Sequence, residues 1–284
     1  MEFLQPEMEC CESAVSSLSW ALVLGGPVYL LRQTRTHTPY GRYRTARSRC
    51  CPARLAWFLQ EAPALLLPLM MLLLLPGEQG GRAGEQGGRA GEQRGRAGEQ
   101  GWRTGGRTGG TLLICTFMLH YFHRSCIYAL RTRGQPVPLD IVLYAAVFCA
   151  LNGFLQAHSL LHCTVYPQDA LTQARMAAGF LLFLFGMIIN IHSDDILRKL
   201  RRPGETVYRI PHGGLFEFVS GANFLGEILE WIGFAIAAGS FPAFAFAFFT
   251  VCSIGPRACQ HHRDYLKRFE DYPRCRRAII PFLL

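Results

Sequence analysis

The sequence predicts an all-α integral membrane protein built as a bundle of seven transmembrane helices. Half of its 284 residues are apolar and only 17% are charged, a composition too apolar for an ordinary soluble domain. Its apolar segments are each close to the ~20 residues that a helix needs to cross a bilayer. The predicted spans are residues 13–31, 55–75, 111–130, 139–161, 173–195, 220–239 and 241–258.

Basic residues in alternate loops predict how these spans are oriented. Loop 32–49 carries arginines and no acidic residue, and basic residues recur at 131–133, at 198–209 and after residue 252. The loops 162–172 and 239–242 carry almost no charge. By the positive-inside rule the basic loops face the cytosol, so the N-terminus is lumenal and the C-terminus cytosolic. Because this topology accounts for the net charge of +9, we expect no nucleic-acid partner.

The first two segments differ in what their polar residues predict. Residues 1–12 lack the basic region that opens a signal peptide, so we expect the first span to stay as an uncleaved anchor. One turn into the second span lie Trp57, Gln60 and Glu61. A carboxyl inside an apolar helix is costly unless it is neutral or paired, and a neutral carboxyl is suited to donate a proton. The alternative is a glutamate at the helix end that reaches water.

A low-complexity insert separates the second span from the third. GEQGGRA occurs at 77–83 and at 84–90, and degraded copies follow to residue 104. The heptad period has no apolar positions, so it predicts no coiled coil. We expect residues 77–110 to form a disordered lumenal linker within a single seven-helix domain that spans residues 1–284.

The third segment carries polar residues in its cytosolic half. Tyr121, Arg124 and Tyr128 are spaced for one helical face. Tyr121 could pair with Glu61 and polarise a carbonyl group. The alternative is a belt of tyrosines at the membrane interface.

The fifth and sixth segments hold the densest polar pattern in the chain. Asn190, Asp194 and Arg198, followed by Arg201, are spaced to share a helical face, and Arg209 lies nearby. Arginine binds two phosphate oxygens at once, so this face suits an anionic ligand. An ordinary positive-inside loop would explain the arginines but leaves Asn190 and Asp194 unexplained. At the start of the sixth segment are Asn223, Glu227 and Glu230.

The residues after the last span continue the polar pattern. Arg257, His261 and Tyr265 recur every four residues, which predicts one wall of a cytosolic pocket. A surface amphipathic helix is the alternative interpretation.

Several other site types are not expected. The eleven cysteines make no C-x-x-C pair, so we expect packing thiols rather than a disulfide or metal framework. The histidine pairs are too few for a membrane di-iron site, and no metal is expected. No two glycines are separated by a single residue, so there is no G-x-G-x-x-G dinucleotide motif. A nicotinamide cofactor would therefore have to bind between helices.

These motifs resemble the steroid 5α-reductase (3-oxo-5α-steroid 4-dehydrogenase) family, and most of all its type 2 form. The resemblance spans most of residues 40–284, with the insert as its largest gap. The matching strings are PARLAWFLQE at 52–61, LHYFHR at 119–124, GMIINIHSDDILRKLRRPGE at 186–205, YRIPHGGLFEFVSGANFLGEILEWIGFA at 208–235 and HHRDYLKRFEDYP at 261–273.

The resemblance implies a seven-helix enzyme of the endoplasmic reticulum membrane, with a cytosolic cofactor pocket. Such enzymes use NADPH to reduce the 4,5 double bond of 3-oxo-Δ4 steroids such as testosterone. The resemblance places Glu61 and Tyr121 at the steroid C3 carbonyl with Gln60 beside them, Trp57 at the substrate, and Glu227 at the junction of substrate and cofactor. The implied cofactor positions are Tyr40, Arg42, Arg124, Tyr128, Asn190, Asp194, Arg201, Arg209, Asn223, Arg257, His261 and Tyr265.

Two departures and two rival functions qualify this expectation. Thr132 stands where the type 2 form has Asn and Gln135 where it has Arg, so the phosphate contacts are expected to differ in part. An integral-membrane methyltransferase that uses S-adenosylmethionine shares the basic cytosolic tail. A non-enzymatic seven-helix receptor shares the predicted span count and topology. The paired Gln60 and Glu61 and the Asn190/Asp194 face argue against the methyltransferase. Buried Glu61, Glu227 and Glu230 with a dense ring of arginines fit a receptor less well.

Overall fold

The described chain folds into long helices joined by short loops. A computed structural model describes residues 12–39, 41–43, 49–74, 108–201, 205 and 207–284. Its long helices are α1 (Glu12–Arg35), α2 (Ala53–Leu74), α3 (108–131), α4 (Leu139–His158), α5 (Ala170–Lys199), α6 (Ala222–Ala238) and α7 (Phe241–Arg268). These helices coincide with the predicted segments, which confirms the mainly helical class.

Five of these helices are long and apolar enough to cross a membrane: α1, α2, α4, α5 and α7. Prolines inside α1, α2 and α7 fit this setting, because neighbouring helices can satisfy the backbone groups that a proline leaves open. The two remaining helices are interrupted or short. α3 contains a π-helical turn at His123–Tyr128, and α6 has only 17 residues. The chain is thus a multi-pass membrane protein, and its seven-span count stays a prediction.

Short elements join the helices at the ends where basic residues gather. β1 (Cys50–Cys51) pairs antiparallel with β2 (Val137–Pro138), which ties the segment before α2 to the segment before α4. Single 3₁₀ turns lie at Gly41–Tyr43 and Gly214–Glu217. A π-helical turn, Ser159–Cys163, extends α4. We use the name "basic end" for the end of the bundle formed by the N-termini of α2, α4 and α6 and the C-termini of α1, α3, α5 and α7.

Glycines bring α5 and α6 into close contact. A β-carbon on Gly186 would lie 2.6 Å from the Gly226 carbonyl oxygen and would overlap the Glu230 backbone nitrogen. Gly179 of α5 and Gly233 of α6 meet in the same way about two helical turns away. Small residues at a helix interface allow backbones to approach closely in a membrane, where the hydrophobic effect does not drive helices together. This contact fixes where Asn190 and Glu230 stand relative to each other.

The apolar core lies beside this helix pair. Trp231 is 1% exposed, and its ring centroid lies 4.6 Å from that of Phe246 and 5.7 Å from that of Phe117. The ring of Tyr121 packs against the same cluster, 4.7 Å from Phe117. Aromatic rings at these separations favour tilted and edge-on contacts, as seen here. The core therefore holds α3, α6 and α7 together.

The C-terminal tail packs against the loop before α6. The backbone nitrogen of Arg277 donates to the Phe218 carbonyl (2.8 Å), and Ser220 donates back to the Arg277 carbonyl (2.8 Å). Arg276 is 1% exposed and donates to the Pro211 carbonyl (2.7 Å) and to the Glu217 carboxylate (3.2 Å). The tail therefore fixes the loop that leads into the polar residues of α6.

Residues 108–110, which the sequence placed in the insert, form the first turn of α3. A β-carbon on Gly109 would lie 2.7 Å from Cβ of Tyr166, and one on Gly110 would overlap the Leu160 carbonyl oxygen. These glycines let α3 begin tightly against the end of α4. The rest of the predicted insert lies outside the described residues.

One cysteine differs from the expectation of packing thiols. Cys163, at the end of α4, is disulfide-bonded, whereas the eight other described cysteines are free. The expectation was wrong for Cys163 because spacing along the sequence shows only local cysteine pairs. The bond lies at the end of the bundle opposite the basic end.

Candidate active site

A cavity of about 340 Å³ opens at the basic end of the bundle. Residues from every long helix or from the loops beside it form its wall. Of the residues predicted for the site, the wall includes Trp57, Gln60, Glu61, Arg124, Tyr128, Asp194, Arg201, Asn223, Glu227, Arg257 and His261. These eleven residues share one wall although up to 204 positions, between Trp57 and His261, separate them along the chain.

The acidic part of the cavity comes from α2. Glu61 and Gln60 are one to two turns into the helix, where the surrounding residues are apolar. The thiol of Cys149, on α4, donates to the Glu61 carboxylate across 3.8 Å, a long contact even for sulfur. Gln60 is 6% exposed. This arrangement keeps a carboxyl group at the cavity wall with few competing donors, so it is open to a ligand atom.

Tyr121 lies next to this carboxyl but inside the core. It is 4% exposed, and its hydroxyl is close to the Asn152 side chain and to Glu61. Asn152 accepts from Gln156 (3.1 Å), which also donates to the Pro242 carbonyl (3.1 Å). The predicted pairing of Tyr121 with Glu61 stays a prediction, because the hydrogen bonds of the described residues place Cys149 on that carboxylate.

A second buried acid lies behind Tyr121. His120 Nδ1 is 2.7 Å from Glu230 Oε1, and the two residues are 4% and 0% exposed. The ring of His120 also lies 4.6 Å from that of Trp231. Glu230 therefore does not face the cavity, unlike Glu227, its neighbour one turn earlier on α6. The pair joins α3 to α6.

Arg124 lies at the centre of the site. It donates to the Asp194 carboxylate (2.9 Å), and the two side chains are each 8% exposed. Its guanidinium carbon lies 4.7 Å from the Trp57 ring and 4.4 Å from the Tyr128 ring, within the range of cation–π attraction. A buried ion pair is tolerated only where further contacts satisfy it. Here the rings of Trp57 and Tyr128 contact Arg124, and the amide of Asn223 donates to Asp194.

Amides from two helices extend this arrangement. Asn223 donates to Asp194 (3.2 Å), and Asn190 donates to the Asn223 carbonyl (2.9 Å). The first acceptor lies on α5 and the second at the start of α6, so the two bonds cross the α5–α6 interface in opposite directions. The close α5–α6 contact at Gly186 and Gly226 holds these groups in register. The Asn190/Asp194 face predicted from the sequence is therefore real, and it faces α3 and α6.

The cation-rich part of the cavity lies at the mouth. Arg201 follows the end of α5 rather than continuing its face, and its guanidinium lies 5.5 Å from the Tyr208 ring. Arg257 and His261 come from α7. The ring of His261 lies 5.3 Å from that of Phe224. Side chains from three elements thus surround the entrance with positive charge and rings.

A smaller pocket adjoins this mouth. Arg201, Tyr208, Asn223 and His261 belong to both cavities, and Arg209 and Tyr265 line only the smaller one. Arg209 donates to the Glu205 carboxylate (2.9 Å). The ring of Tyr265 stacks parallel on Tyr272 with centroids 5.3 Å apart.

Two predicted positions lie outside this description. Tyr40 is not among the described residues, and for Arg42 the side chain is not described. The two departures noted in the sequence, Thr132 and Gln135, both line the cavity. Thr132 is 6% exposed and accepts from the Gly134 backbone nitrogen (3.2 Å). Gln135 supplies no positive charge at the position where the type 2 form was expected to have Arg.

The donor set fits an extended anionic ligand with an aromatic ring. Arginines and amides suit phosphate and ribose oxygens, and the rings of Trp57, Tyr128 and Tyr208 offer flat surfaces. Within the described residues no group of three or more side chains is arranged to hold a metal ion.

The sequence interpretation missed some residues that shape the site. Cys149 was treated as a packing thiol, yet it contacts Glu61. Gln260 donates to the carbonyls of Gln33 and Thr36 and so ties α1 to α7 at the mouth. The amides Asn152 and Gln156, four apart in an apolar helix, were a visible signal, because unpaired amides are costly in lipid.

Comparison with known proteins gives a consistent result. A sequence profile described as "3-oxo-5-alpha-steroid 4-dehydrogenase" matches residues 135–284. The chain is 45% identical to 3-oxo-5-alpha-steroid 4-dehydrogenase 2 of Homo sapiens over 281 residues, 98% of this chain and 99% of the relative. It is 50% identical to the protein of that name from Rattus norvegicus over 232 residues, 82% and 81% of the two chains. It is 42% identical to 3-oxo-5-alpha-steroid 4-dehydrogenase 1 of Homo sapiens over 274 residues, 96% of each.

Proposed function

The chain belongs to the 3-oxo-5-alpha-steroid 4-dehydrogenase family, and we propose that it reduces the 4,5 double bond of 3-oxo-Δ4 steroids with NADPH. The product class is a 5α-dihydro-3-oxo steroid, as in the conversion of testosterone to 5α-dihydrotestosterone. The reaction takes place between a membrane-soluble substrate and a charged cofactor. A cavity that joins an apolar interior to a cation-rich mouth suits both.

One observation carries the proposal: a carboxyl group and an arginine-rich mouth share the wall of one cavity. Glu61 lies toward the apolar interior, whereas Arg201, just after the end of α5, and Arg257, on α7, lie at the entrance. The cavity therefore offers a hydrogen-bonding group where a hydrophobic substrate would enter and cations where phosphates would lie. Family membership supports the reaction, and this separation supports a substrate role for Glu61 and a cofactor role for the arginines.

The acidic part of the site would act on the steroid carbonyl. A conjugated enone accepts hydride at its β carbon only if the oxygen is stabilised as charge builds on it. Glu61, with Tyr121 beside it, would supply that stabilisation at the C3 oxygen. Bound NADPH supplies the hydride that reaches C5. C4 then takes a proton from solvent or from a group of the enzyme, which restores the ketone.

The neighbouring residues would position the substrate. The Trp57 ring lies 4.7 Å from the Arg124 guanidinium carbon and 4.9 Å from the Tyr128 ring. Gln60 would assist at the carbonyl, and Glu227, which also lines the cavity, would lie at the junction of substrate and cofactor. Apolar side chains around the cavity exclude water, which strengthens each electrostatic contact inside it.

The arginine-rich mouth would hold the cofactor phosphates. Arg201 and Arg257 face the cavity, and Arg209 faces the adjoining pocket. The bidentate fork of arginine matches phosphate geometry, which favours NADPH over NADH because of the additional 2′-phosphate. Asp194 accepts from both Arg124 and Asn223, and Asp194 and Asn223 would orient polar groups of the cofactor rather than its phosphates.

The location proposed for this reaction is the endoplasmic reticulum membrane, with a lumenal N-terminus and a cytosolic C-terminus. The disulfide at Cys163 supports this orientation, because disulfides persist in the lumen and are rare in the cytosol. Cys163 lies at the end opposite the arginine-rich mouth, which would then face cytosolic NADPH.

A substrate panel tests the proposal directly. Membranes that contain the full chain are supplied with NADPH and with testosterone, progesterone or a non-steroid enone, and cofactor oxidation and products are measured. We expect 5α-reduced steroids and little reaction with the non-steroid enone. S-adenosylmethionine consumption would support the methyltransferase instead, and steroid binding without turnover would support a receptor.

A further inference from the structure

A second cavity lies on the outer face of the bundle, in a groove between α3 and α5. Its volume is about 460 Å³. Its apolar floor is formed by Ile127, Ile188 and Ile191, and Ile188 is 65% exposed. Isolated exposed isoleucines need no explanation in a membrane protein. A groove of this volume that ends in charged groups, however, needs an explanation.

The charged groups stand at the basic end of the groove and are arranged around one carboxylate. Asp195 pairs with Arg131 of α3 (3.4 Å), with Arg198, and with Lys199 (2.6 Å). Three cations therefore share one acid among the described residues. The Arg131 and Lys199 side chains are 55% and 72% exposed, so their charge reaches the surface. The next carboxylate, Asp194, points inward and is engaged by Arg124.

The charged end and the apolar floor of the groove are separated by a distance that matches the headgroup and acyl chain of an amphiphile. Ile188 precedes Lys199 by eleven residues, which is about 16 Å along an α-helix at 1.5 Å per residue. A charged headgroup at Lys199 would thus leave an acyl chain lying along Ile191 and Ile188. His123 and His192 flank the transition between the two parts.

We propose that this groove binds an anionic phospholipid, with its phosphate and acidic headgroup at Arg131, Arg198 and Lys199 and one acyl chain along the isoleucines. Charge complementarity selects this occupant, because basic pockets between transmembrane helices on the cytosolic side attract anionic headgroups. The apolar floor excludes a free phosphate as the matching ligand. This proposal is independent of the reductase function.

The lipid would lie against the wall of the candidate active site. Tyr128, Asp194 and Arg198 border both the groove and the main cavity. A lipid bound here would fill the outer side of the α3–α5 seam while the cofactor residues occupy the inner side.

Native mass spectrometry of the purified full-length chain tests the proposal. Phosphatidylserine and phosphatidylcholine with identical acyl chains are titrated separately, and inorganic phosphate is added as a competitor. We expect phosphatidylserine to bind at least tenfold more tightly, and phosphate at equal concentration not to displace it. Equal binding of the two lipids would overturn the proposal, and displacement by phosphate would show an anion site without a lipid site.

Matched variants locate the binding site. The double variant Arg131→Gln, Lys199→Gln should weaken phosphatidylserine binding roughly thirtyfold, since each basic residue near a membrane surface contributes about a fivefold factor. The control Arg263→Gln, Lys267→Gln removes the same charge from exposed positions of α7 and should change binding little. An equal loss in both would mean that general surface charge attracts the lipid.

A variant that is expected to tighten lipid binding distinguishes loss of the site from misfolding. Asp195→Asn removes the carboxylate that neutralises the cations, so phosphatidylserine should bind several-fold more tightly. A defect in folding would not tighten binding. Unchanged or weaker binding by Asp195→Asn in a folded protein would contradict the assignment of the headgroup to this cluster.

Discussion

Arg124 shows how much of the site a single residue determines. It pairs with Asp194 and lies over Trp57 and Tyr128, so it holds α2, α3 and α5 around the cavity. The family resemblance predicted Arg124 and Asp194 as members of one cofactor pocket, whereas helical spacing alone placed them on two separate polar faces. Their pairing could not be predicted, since 70 positions separate them and spacing gives no direction across helices.

The first residue-scale prediction concerns cofactor affinity. Arg201→Ala should raise the KM for NADPH at least tenfold and leave the steroid KM within about twofold, because a charge-assisted hydrogen bond contributes about 1.5–3 kcal/mol. Steady-state kinetics with each substrate varied in turn measures both. The control is Arg263→Ala, an exposed arginine on α7 that lines neither cavity. A parent enzyme that used NADH and NADPH equally would contradict the assignment of this arginine to a phosphate.

The second residue-scale prediction concerns Arg276. Arg276→Met removes the hydrogen bonds to the Pro211 carbonyl and to Oε2 of Glu217 and should lower the unfolding free energy by about 1–3 kcal/mol. Thermal unfolding in detergent measures this loss. Arg274→Met, at an exposed neighbouring position, should be close to neutral. Equal stability of the two variants would show that the tail does not hold the loop.

This contribution should depend on pH. The Gly213 N–H bond, together with the charge of Arg276, holds the pKa of Glu217 below its ordinary value. A lowered folded-state pKa means that the stabilisation is present above the ordinary glutamate pKa and is lost as pH falls through the lowered value. The stability difference between the parent and Arg276→Met should therefore shrink in acid. A difference that grew in acid would contradict this account.

At the scale of elements, the helices were predicted mainly from the lengths of the apolar segments. The seven predicted segments coincide with α1 to α7, because each was predicted from a run of about 20 mainly apolar residues. The π-helical turn at His123–Tyr128 could not be predicted. It shifts the helix register, so Tyr121 faces the core while Arg124 faces the cavity. Predicting one shared face for these residues assumed an unbroken α-helix.

The element-scale prediction tests the contact between α5 and α6. Gly186→Ala would force the helices apart near Asn190 and should destabilise the protein by about 1–3 kcal/mol, the usual effect of overpacking. It should also weaken NADPH binding, because Asn190 and Asn223 lose their register. The unfolding midpoint and the NADPH dissociation constant measure the two effects.

Gly255→Ala serves as the control, since nothing lies within 4 Å of a β-carbon at that position of α7. It should be neutral or slightly stabilising, because alanine favours a helix more than glycine does. If Gly186→Ala behaved like Gly255→Ala, the close contact of α5 and α6 would not matter for the site.

At the scale of the whole molecule, the bundle has two chemically different ends. The cavity and the cations lie at one end, and the Cys163 disulfide lies at the other. The charge pattern of the loops predicted this asymmetry. The disulfide and the exact start of α3 were not predicted, because both depend on contacts between segments that are distant in sequence.

The whole-molecule prediction separates the insert from α3. Deleting residues 77–106 and joining the ends with a short Gly/Ser loop should leave activity within about twofold, since a change in loop length alters closure entropy by only about 1 kcal/mol. Extending the deletion through Gly110 removes the contacts with Tyr166 and Leu160 and should lower stability and activity. Loss of activity in the shorter deletion, with normal membrane insertion, would show that the repeat is part of the working structure.

The central claim is that Glu61 and Tyr121 act on the substrate carbonyl while the arginine-rich mouth binds the cofactor. Its most direct test is single-turnover reduction of testosterone by Glu61→Gln and Tyr121→Phe, with the NADPH dissociation constant measured on the same samples. The account predicts a rate lower by about 10²–10³ in each variant, as for loss of one oxyanion donor, with NADPH binding unchanged. Near-parental rates in both variants would contradict it.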